Sequence, residues 1–205
     1  MSRSSKRWIR EHERDLYVRQ AREGKYRSRS AYKLLQIQQK FRVIHPGDRV
    51  LDLGAAPGGW SQVAVSIVGR KGRVVAADLL AMDPIPGVTI LQCDLLDPVG
   101  IERLIGQFPA EKVDRVLSDM APNTRGIPSL DHDMSMVLVE GVIDLLPDVL
   151  RSGGGLVVKI FQGKDFPPLL KRLRGRFRSC RVAKPPASRS RSVELYLVAE
   201  HYCPE

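Results

Sequence analysis

The stretch "RVLDLGAAPGGWSQ", residues 49–62, has the pattern of a strand, a tight turn and the start of a helix. Its apolar residues Val50, Leu51 and Leu53 form a run that only Asp52 interrupts, which is typical of a buried strand. The glycines and the proline of residues 54–59 end that run, and a helix is predicted to begin near Trp60. A strand followed by a glycine turn and a helix is the first unit expected of a parallel α/β sheet.

Strands and helices alternate along the rest of the chain. The predicted strands are residues 49–54, 73–78, 88–94, 113–119, 155–161, 180–185 and 193–199. Helices are predicted from Ser30, from near Trp60, and over 97–107, 134–150 and 165–176. This alternation predicts an α/β fold with a doubly wound, mostly parallel sheet. Residues 1–27 are predicted to form a basic arm or docked helix, and residues 28–205 a single domain.

The net charge of +10 is unevenly distributed. Residues 1–45 carry a net charge of +9 and residues 164–191 another +9, whereas residues 46–163 carry −5. Scattered basic residues usually form a solvated surface. Two concentrated basic segments around an acidic centre instead favour a face that binds a polyanion, with nucleic acid as the expected partner.

The three cysteines, Cys93, Cys180 and Cys203, are widely spaced and suit neither a disulfide framework nor a zinc site. They indicate a reducing compartment. No apolar run approaches the roughly 18 residues of a membrane span, and no apolar segment follows the N-terminal Met1 to Lys6. We therefore expect a cytoplasmic monomer that binds no metal and does not enter a membrane.

Aspartates stand at or near the ends of four successive predicted strands: Asp52, Asp78, Asp94 and Asp119. A single aspartate in such a position is most often a turn former or a helix cap. Ligands of parallel α/β sheets bind beyond the carboxyl ends of the strands, however, and four carboxylates at that edge indicate a binding crevice.

The glycine turn indicates which ligand the crevice takes. Asp78 follows Gly58 by 20 residues, a spacing at which a carboxylate accepts hydrogen bonds from ribose hydroxyls. The turn lacks the G-x-G-x-x-G pattern that binds pyrophosphate, which makes a nicotinamide dinucleotide the weaker candidate. S-adenosylmethionine, which has a ribose but no phosphate, fits the pattern better.

The segment "GLVVKIFQG", residues 155–163, reads as a strand buried on both faces except for Lys159. An unpaired ammonium there would lose several kcal/mol of hydration. Lys159 is therefore either a structural ion-pair partner of Asp119 or Glu194, or a functional group at the crevice, where a perturbed titratable residue is a candidate for catalysis.

Four motifs carry a resemblance to a known family: "DLGAAPGGWSQ", "SDMAPN" (118–123), "VVKIFQG" and "SRSRSVELYLVA" (188–199). In this order and spacing they resemble the FtsJ/RrmJ family of S-adenosylmethionine-dependent RNA ribose 2'-O-methyltransferases, over about residues 6–199. The resemblance implies a seven-stranded Rossmann-like sheet whose last strand is antiparallel. It also implies a set of cofactor contacts: Gly58, Trp60, Asp78 at the ribose, Asp94 at the adenine edge, and Asp119.

The family further implies a catalytic tetrad of Lys33, Asp119, Lys159 and Glu194. The positions of the strands agree with it, since the carboxyl ends of parallel strands and the start of an antiparallel strand meet at one edge. Methyl transfer is an in-line displacement, so positioning should supply most of the acceleration, with Lys159 as the proposed acceptor of the hydroxyl proton. The implied substrate is a uridine in the peptidyl-transferase A-loop of 23S ribosomal RNA, within the assembled large subunit.

The basic residues are predicted to form a rim that contacts RNA phosphates. The rim comprises Arg27, Arg29, Lys164, Lys171, Arg172, Arg174, Arg176, Arg178, Arg189 and Arg191. Aromatic residues are few, which favours recognition of RNA shape over base stacking. Three alternatives stay open: methylation of transfer RNA or of an mRNA cap, a non-catalytic assembly factor, and, with the weakest support, an oxidoreductase.

Overall fold

The computed structural model describes residues 26–108, 111–122, 128–188 and 192–204. The predicted arm, residues 1–27, lies outside these residues except for Tyr26 and Arg27. Within the described ranges, none of the helices combines the length and apolar character needed to cross a membrane.

Seven strands of one sheet and five helices make up the described fold. The helices are α1 (Ser30–Phe41), α2 (Gly59–Val68), α3 (Pro98–Ile105), α4 (Pro128–Val149) and α5 (Phe166–Arg176). The strands are β1 (Arg49–Leu53), β2 (Arg73–Asp78), β3 (Val88–Gln92), β4 (Val113–Ser118), β5 (Leu150–Phe161), β6 (Phe177–Ala183) and β7 (Glu194–Tyr202). The strand order is β3-β2-β1-β4-β5-β7-β6.

The sheet is parallel except at one strand. β1 to β5 are parallel, whereas β7 lies between β5 and β6 and is antiparallel to both. The predicted Rossmann-like methyltransferase fold, with its last strand reversed, is therefore confirmed. The reversal places the start of β7 beside the end of β5, where Glu194 pairs with Phe161 and Tyr196 pairs with Lys159.

Besides β6, which begins at Phe177 rather than Cys180, two elements begin well before the predicted residue. α4 begins at Pro128 rather than near residue 134, since proline is well tolerated in the first turn of a helix. β5 begins at Leu150 rather than Gly155, with an irregular register against β4 between Val113 and Arg115. Neither difference moves the carboxyl ends of the strands.

Each face of the sheet carries its own apolar core. α1 and α2 cover one face, where Leu34 and Val63 pack with Val50 and Val198. α3, α4 and α5 cover the other, where Leu104, Ile143 and Leu173 pack with sheet residues such as Leu51. Because side chains alternate along β1, Asp52 points to the same face as Val50, toward α2.

Candidate active site

The strand ends open into one crevice. Leu53 at the end of β1 is level with Ala77 of β2 and Ser118 of β4, and Ser118 is level with Val158 of β5. The order of the strands reverses between β1 and β4, which is the switch point where ligands of such sheets bind. "The crevice" below means this edge, from Asp78 on β2 to Glu194 on β7.

Lys159 lies at the crevice with Asp119 as its partner. Its Nζ is 3.1 Å from Asp119 Oδ1, and it also donates a hydrogen bond to the backbone oxygen of Asp119. The side chain of Lys159 is 7% exposed. A buried ammonium is tolerated only with such compensation, so Asp119 accounts for the presence of Lys159 in an apolar strand.

Lys33 and Glu194 form the second pair. Lys33 Nζ of α1 lies 2.6 Å from Glu194 Oε1 at the start of β7, and both side chains are largely buried. Burial is the largest influence and by itself would raise the pKa of Glu194, but the Lys33 ammonium and smaller contributions from its other neighbours together hold that pKa below its usual value. Lys159 acts on Glu194 in the same direction. All four residues of the predicted tetrad therefore converge on the crevice.

Tyr196 connects the two pairs and was not predicted as a site residue. Its hydroxyl donates a hydrogen bond of 2.7 Å to Asp119 Oδ1, the same oxygen that faces Lys159. Lys33 Nζ lies 5.7 Å from the centroid of the Tyr196 ring. Burial, and then the Asp119 charge, raise the pKa of Tyr196 well above its ordinary value, so the phenol remains a donor. The alternation of "VELYLVA" placed Tyr196 only in a buried strand.

The glycine turn follows β1 as predicted. Gly54 has φ +69° and Gly58 has φ +108°, a left-handed region that side chains rarely adopt. A Cβ on Gly58 would lie 2.5 Å from Ile85 Cδ1, and a Cβ on Gly54 would lie 2.1 Å from Met120 Cγ. The turn therefore brings bare backbone to the mouth of the crevice, between the β2–β3 loop and the segment after β4.

The carboxylates of Asp78 and Asp94 are held by backbone amides. Asp78 accepts hydrogen bonds of 2.8 Å from the amides of Ala56 and Leu80, which join β2 to the glycine turn. Asp94 follows β3 by two residues and accepts a 2.8 Å hydrogen bond from the Leu96 amide. Beside Asp94, an apolar groove is lined by Leu53, Leu95, Leu96, Ile101, Met120, Leu138, Gly141, Val142 and Leu145.

Asp52, the fourth of the strand-end aspartates, lies inside β1 and is fully buried. Its Oδ2 accepts a 2.6 Å hydrogen bond from the Ser61 hydroxyl. Burial raises the pKa of Asp52 to about 7; Ser61 opposes the rise, and the charges of Asp119 and Asp78 add to it. Three carboxylates therefore interact electrostatically on the β1 side of the crevice.

Comparison with known proteins agrees with this geometry. A model of the FtsJ-like methyltransferase family matches residues 26–202, which include the whole described fold up to the end of β7. The chain belongs to the FtsJ-like methyltransferase family. It is therefore an enzyme of that family, and the resemblance inferred from the four motifs is confirmed.

Two curated relatives in this family span nearly the entire chain. One is the ribosomal RNA large subunit methyltransferase E of Hahella chejuensis, 47% identical over 201 residues, which cover 98% of each chain. The other is the protein of the same name from Marinobacter nauticus, 46% identical over 201 residues, with 98% of this chain and 97% of the relative covered.

Solved structures support the same family fold. A Plasmodium falciparum protein assigned as a ribosomal RNA methyltransferase is 29% identical, with a TM-score of 0.78, and the match covers 88% of this chain and 100% of the other. Aeropyrum pernix fibrillarin, crystallised with natively bound S-adenosylmethionine, is 20% identical, with a TM-score of 0.57, and covers 85% of this chain and 75% of its own. At that identity, fibrillarin supports the fold alone.

Membership of the FtsJ-like family confirms S-adenosylmethionine as the cofactor, and the crevice suits it. Three carboxylates, Asp52, Asp78 and Asp119, interact electrostatically at the ends of β1, β2 and β4. Carboxylates are suited to ribose hydroxyls and to positive charge, both of which S-adenosylmethionine presents, and they would repel a pyrophosphate.

Two predicted contacts of this FtsJ-like chain take a different form in the structure. The Trp60 side chain is buried against Tyr196, with ring centroids 5.7 Å apart, and its Nε1 donates to the Ser30 carbonyl. It belongs to the core, which leaves its backbone as the part open to the cofactor. The Arg27 guanidinium donates to the carbonyls of Pro57, Asp83 and Pro84, so it joins the glycine turn to the β2–β3 loop instead of facing RNA.

The remaining rim residues do not surround the crevice evenly. Lys164 is exposed beside the end of β5, but α5 then runs back along the sheet and carries Lys171, Arg172 and Arg174 away from the crevice. Ala183 of β6 pairs with Tyr196 at the crevice. Arg178 lies five residues before Ala183, so the two residues are about 16 Å apart along β6. Arg29 donates to the Ala187 carbonyl, Arg172 pairs with Glu140, and Arg176 is partly buried. Arg189 and Arg191 lie outside the described residues.

Proposed function

We propose that this protein transfers a methyl group from S-adenosylmethionine to the ribose 2'-oxygen of a uridine in the A-loop of 23S ribosomal RNA, within the large ribosomal subunit. The observation that carries the proposal is the convergence of two lysine–carboxylate pairs beside the glycine turn. The names of the two curated relatives support ribosomal RNA of the large subunit as the substrate.

Each cofactor residue is assigned a role from the hydrogen-bonding groups or the backbone that it presents to the crevice. Asp78, fixed by two backbone amides, accepts hydrogen bonds from the ribose hydroxyls, and Asp94 faces the adenine edge beside the apolar groove. Gly58 and the backbone of Trp60 contact the methionine part at the start of α2. Asp119 borders both the cofactor and the acceptor oxygen, because it follows β4 directly and holds Lys159.

Methyl transfer requires that the ribose 2'-oxygen is aligned with the methyl group and that a neighbouring group accepts the proton of the 2'-hydroxyl. S-adenosylmethionine supplies the methyl group as an electrophile on a sulfonium centre. Lys159, in its neutral form, would accept the proton of the ribose hydroxyl as the new oxygen–carbon bond forms and the methyl–sulfur bond breaks, with S-adenosylhomocysteine as the leaving group. Asp119 fixes the position of the Lys159 amine through two contacts, and Tyr196 fixes Asp119 in turn. Alignment of the reacting atoms then supplies most of the rate acceleration.

Lys33 and Glu194 form the other ion pair on the side of the crevice that we propose binds the substrate ribose. The Lys33 ammonium lies at the crevice, where its ion pair with Glu194 holds it. We propose that Lys33 also binds an oxygen of the substrate ribose, which would orient the 2'-hydroxyl toward Lys159.

Lys164→Glu is expected to weaken RNA binding more than Arg178→Glu, since Lys164 is beside the crevice and Arg178 lies toward the opposite edge of the sheet. Losing one phosphate contact should lower the salt dependence of binding by about one charge unit. Filter binding across a salt series measures both quantities. An equal or larger effect of Arg178→Glu would place the RNA on the other side of the molecule. Cofactor affinity should be unchanged in both variants.

The substrate class is tested by supplying the protein with isotopically labelled S-adenosylmethionine and four acceptors: large subunits lacking the modification, naked 23S ribosomal RNA, transfer RNA and capped mRNA. The proposal expects label in the ribosomal substrates only. Label in transfer RNA or in the cap would move the protein to another branch of its family. Normal cofactor binding without transfer to any acceptor would favour a non-catalytic assembly factor. Cytoplasmic location and a monomeric state stay predictions.

A further inference from the structure

Arg27 joins the two backbone segments that border the proposed ribose site, the glycine turn and the β2–β3 loop (residues 79–87). Its Nη1 donates to the Pro57 carbonyl of the turn at 3.3 Å and to the Asp83 carbonyl of the loop at 2.7 Å. Its Nη2 donates to the Pro84 carbonyl of the loop at 2.7 Å. One guanidinium therefore holds both segments at once, which its planar set of several donors allows.

Asp78 joins the same two segments at a second point. Its carboxylate accepts hydrogen bonds from the amide of Ala56 in the glycine turn and from the amide of Leu80 in the β2–β3 loop. The loop is thus attached to the turn twice, near its start through Asp78 and further along through Arg27. A change at one attachment should affect the other, because only a few residues separate them.

The β2–β3 loop has little apolar packing of its own. Within residues 79–87, all of which the structure describes, only Ile85 is buried, whereas Leu79 and Leu80 are 63% and 64% exposed. Segments with few buried apolar contacts open locally at a low cost in free energy. The position of this loop therefore depends strongly on its hydrogen bonds to Arg27 and Asp78.

Arg27 is itself held in place. Its backbone amide donates a 2.8 Å hydrogen bond to Gln62 Oε1 of α2. Its side chain lies over Gly58, where a Cβ would be 3.4 Å from Arg27 Nη1 and 2.5 Å from Ile85 Cδ1. The bare glycine thus lets the guanidinium and the loop approach the turn together, in an arrangement that is fixed before a ligand binds.

We propose that Arg27 is a positioning residue for the cofactor. By holding the β2–β3 loop against the glycine turn, it keeps Asp78 in the geometry that binds the ribose hydroxyls. S-adenosylmethionine and its product, S-adenosylhomocysteine, have the same adenosine ribose, so Arg27 should support the binding of both equally. The inference rests on the proposed role of Asp78 as the ribose ligand, and it replaces the predicted contact of Arg27 with RNA phosphate.

Removal of the guanidinium should weaken cofactor binding without slowing the chemistry. In Arg27→Met the loop would be in place for only part of the time, and the apparent affinity falls by that fraction. We expect both ligands to bind about tenfold more weakly, and KM for S-adenosylmethionine to rise by a similar factor while kcat stays near that of the wild type. A loss of stability alone would instead remove active protein and lower kcat.

Arg27→Lys separates this role from a contact with RNA. A lysine keeps the positive charge that a phosphate requires, but its single ammonium cannot reproduce the fork that reaches carbonyls of two segments. We therefore expect Arg27→Lys to recover only part of the lost cofactor affinity. The salt dependence of RNA binding should be that of the wild type in both Arg27→Lys and Arg27→Met.

The test is isothermal titration of the full chain with S-adenosylmethionine and with S-adenosylhomocysteine, for the wild type, Arg27→Met, Arg27→Lys and Arg70→Met. Arg70 is exposed just after α2, at the end of that helix away from the glycine turn, which makes Arg70→Met a matched control with wild-type affinity. Steady-state kinetics with labelled cofactor separate KM from kcat. Filter binding of 23S ribosomal RNA across a salt series measures the RNA contact.

Wild-type affinity for both ligands in Arg27→Met, or full recovery of affinity in Arg27→Lys, would overturn the proposal. A salt dependence that falls by about one charge unit in Arg27→Met and returns in Arg27→Lys would assign Arg27 to RNA instead. If Arg27→Met fails to fold, the affinity of Arg27→Lys still decides between the two roles. Failure of the wild type to bind either ligand would remove the proposed function itself, a result distinct from any effect confined to the Arg27 variants.

Discussion

Lys159→Met is expected to lower the single-turnover rate of methyl transfer by about 10³-fold while the affinity for S-adenosylmethionine changes little. Methionine matches the length of the lysine side chain and is well tolerated in an apolar strand, so the fold should persist. The proton acceptor would be absent, however, and Asp119 would lose its cation. Rapid-quench measurement with saturating cofactor and RNA gives the rate, and titration calorimetry gives the affinity.

The matched control is Lys171→Met, the same substitution at an exposed position on α5. It should leave the single-turnover rate near that of the wild type. A rate for Lys159→Met within a few-fold of this control would exclude Lys159 from the chemistry and return it to the structural ion-pair interpretation.

Asp119→Ala is expected to reduce both stability and turnover. The Tyr196 hydroxyl would be buried without its acceptor, and the Lys159 ammonium would lose its nearest carboxylate. Breaking a buried pair from one side typically costs about 3 kcal/mol or more, which corresponds to a fall of roughly 10 °C in the melting temperature of a chain this long. Thermal unfolding by circular dichroism measures the fall.

Asp119→Asn separates the two effects. Its amide oxygen can still accept from Tyr196 and Lys159, so most of the stability should return, whereas the negative charge beside the acceptor amine is removed. We expect a melting temperature close to that of the wild type and a turnover well below it. If Asp119→Ala unfolds at the wild-type temperature, the hydrogen-bond network through Tyr196 does not contribute to stability as described.

The sequence alone was sufficient for the fold and for the convergence of the four residues of the predicted tetrad at one edge of the sheet. Alternating strands and helices predicted the sheet. Three of the four family motifs contain Asp119, Lys159 and Glu194, and the family resemblance implied Lys33 in "RSAYKL" as the fourth member before any contact was known. These features are carried by local pattern and by residue type. The structure adds which lysine pairs with which carboxylate, because that depends on α1 packing beside β7.

Features that depend on packing between distant parts of the chain could not be predicted from the sequence. Tyr196 looked like one more apolar residue of a strand, and its hydrogen bond to Asp119 arises only because β7 is antiparallel beside β5. Arg27 looked like a rim residue because its charge is visible in the sequence, whereas the carbonyls of Pro57 and Pro84 that bind it are brought together by two separate loops. The burial of Trp60 likewise depends on how α2 docks.

The central claim is that the tetrad methylates a ribose oxygen, and nucleoside analysis of labelled ribosomal RNA tests it most directly. Large subunits lacking the modification are methylated by the protein, and their RNA is digested to nucleosides and separately cleaved with alkali. We expect all label in 2'-O-methyluridine, in an alkali-resistant dinucleotide from the A-loop, and none with Lys159→Met. Label on a base, or equal labelling by Lys159→Met, would contradict it.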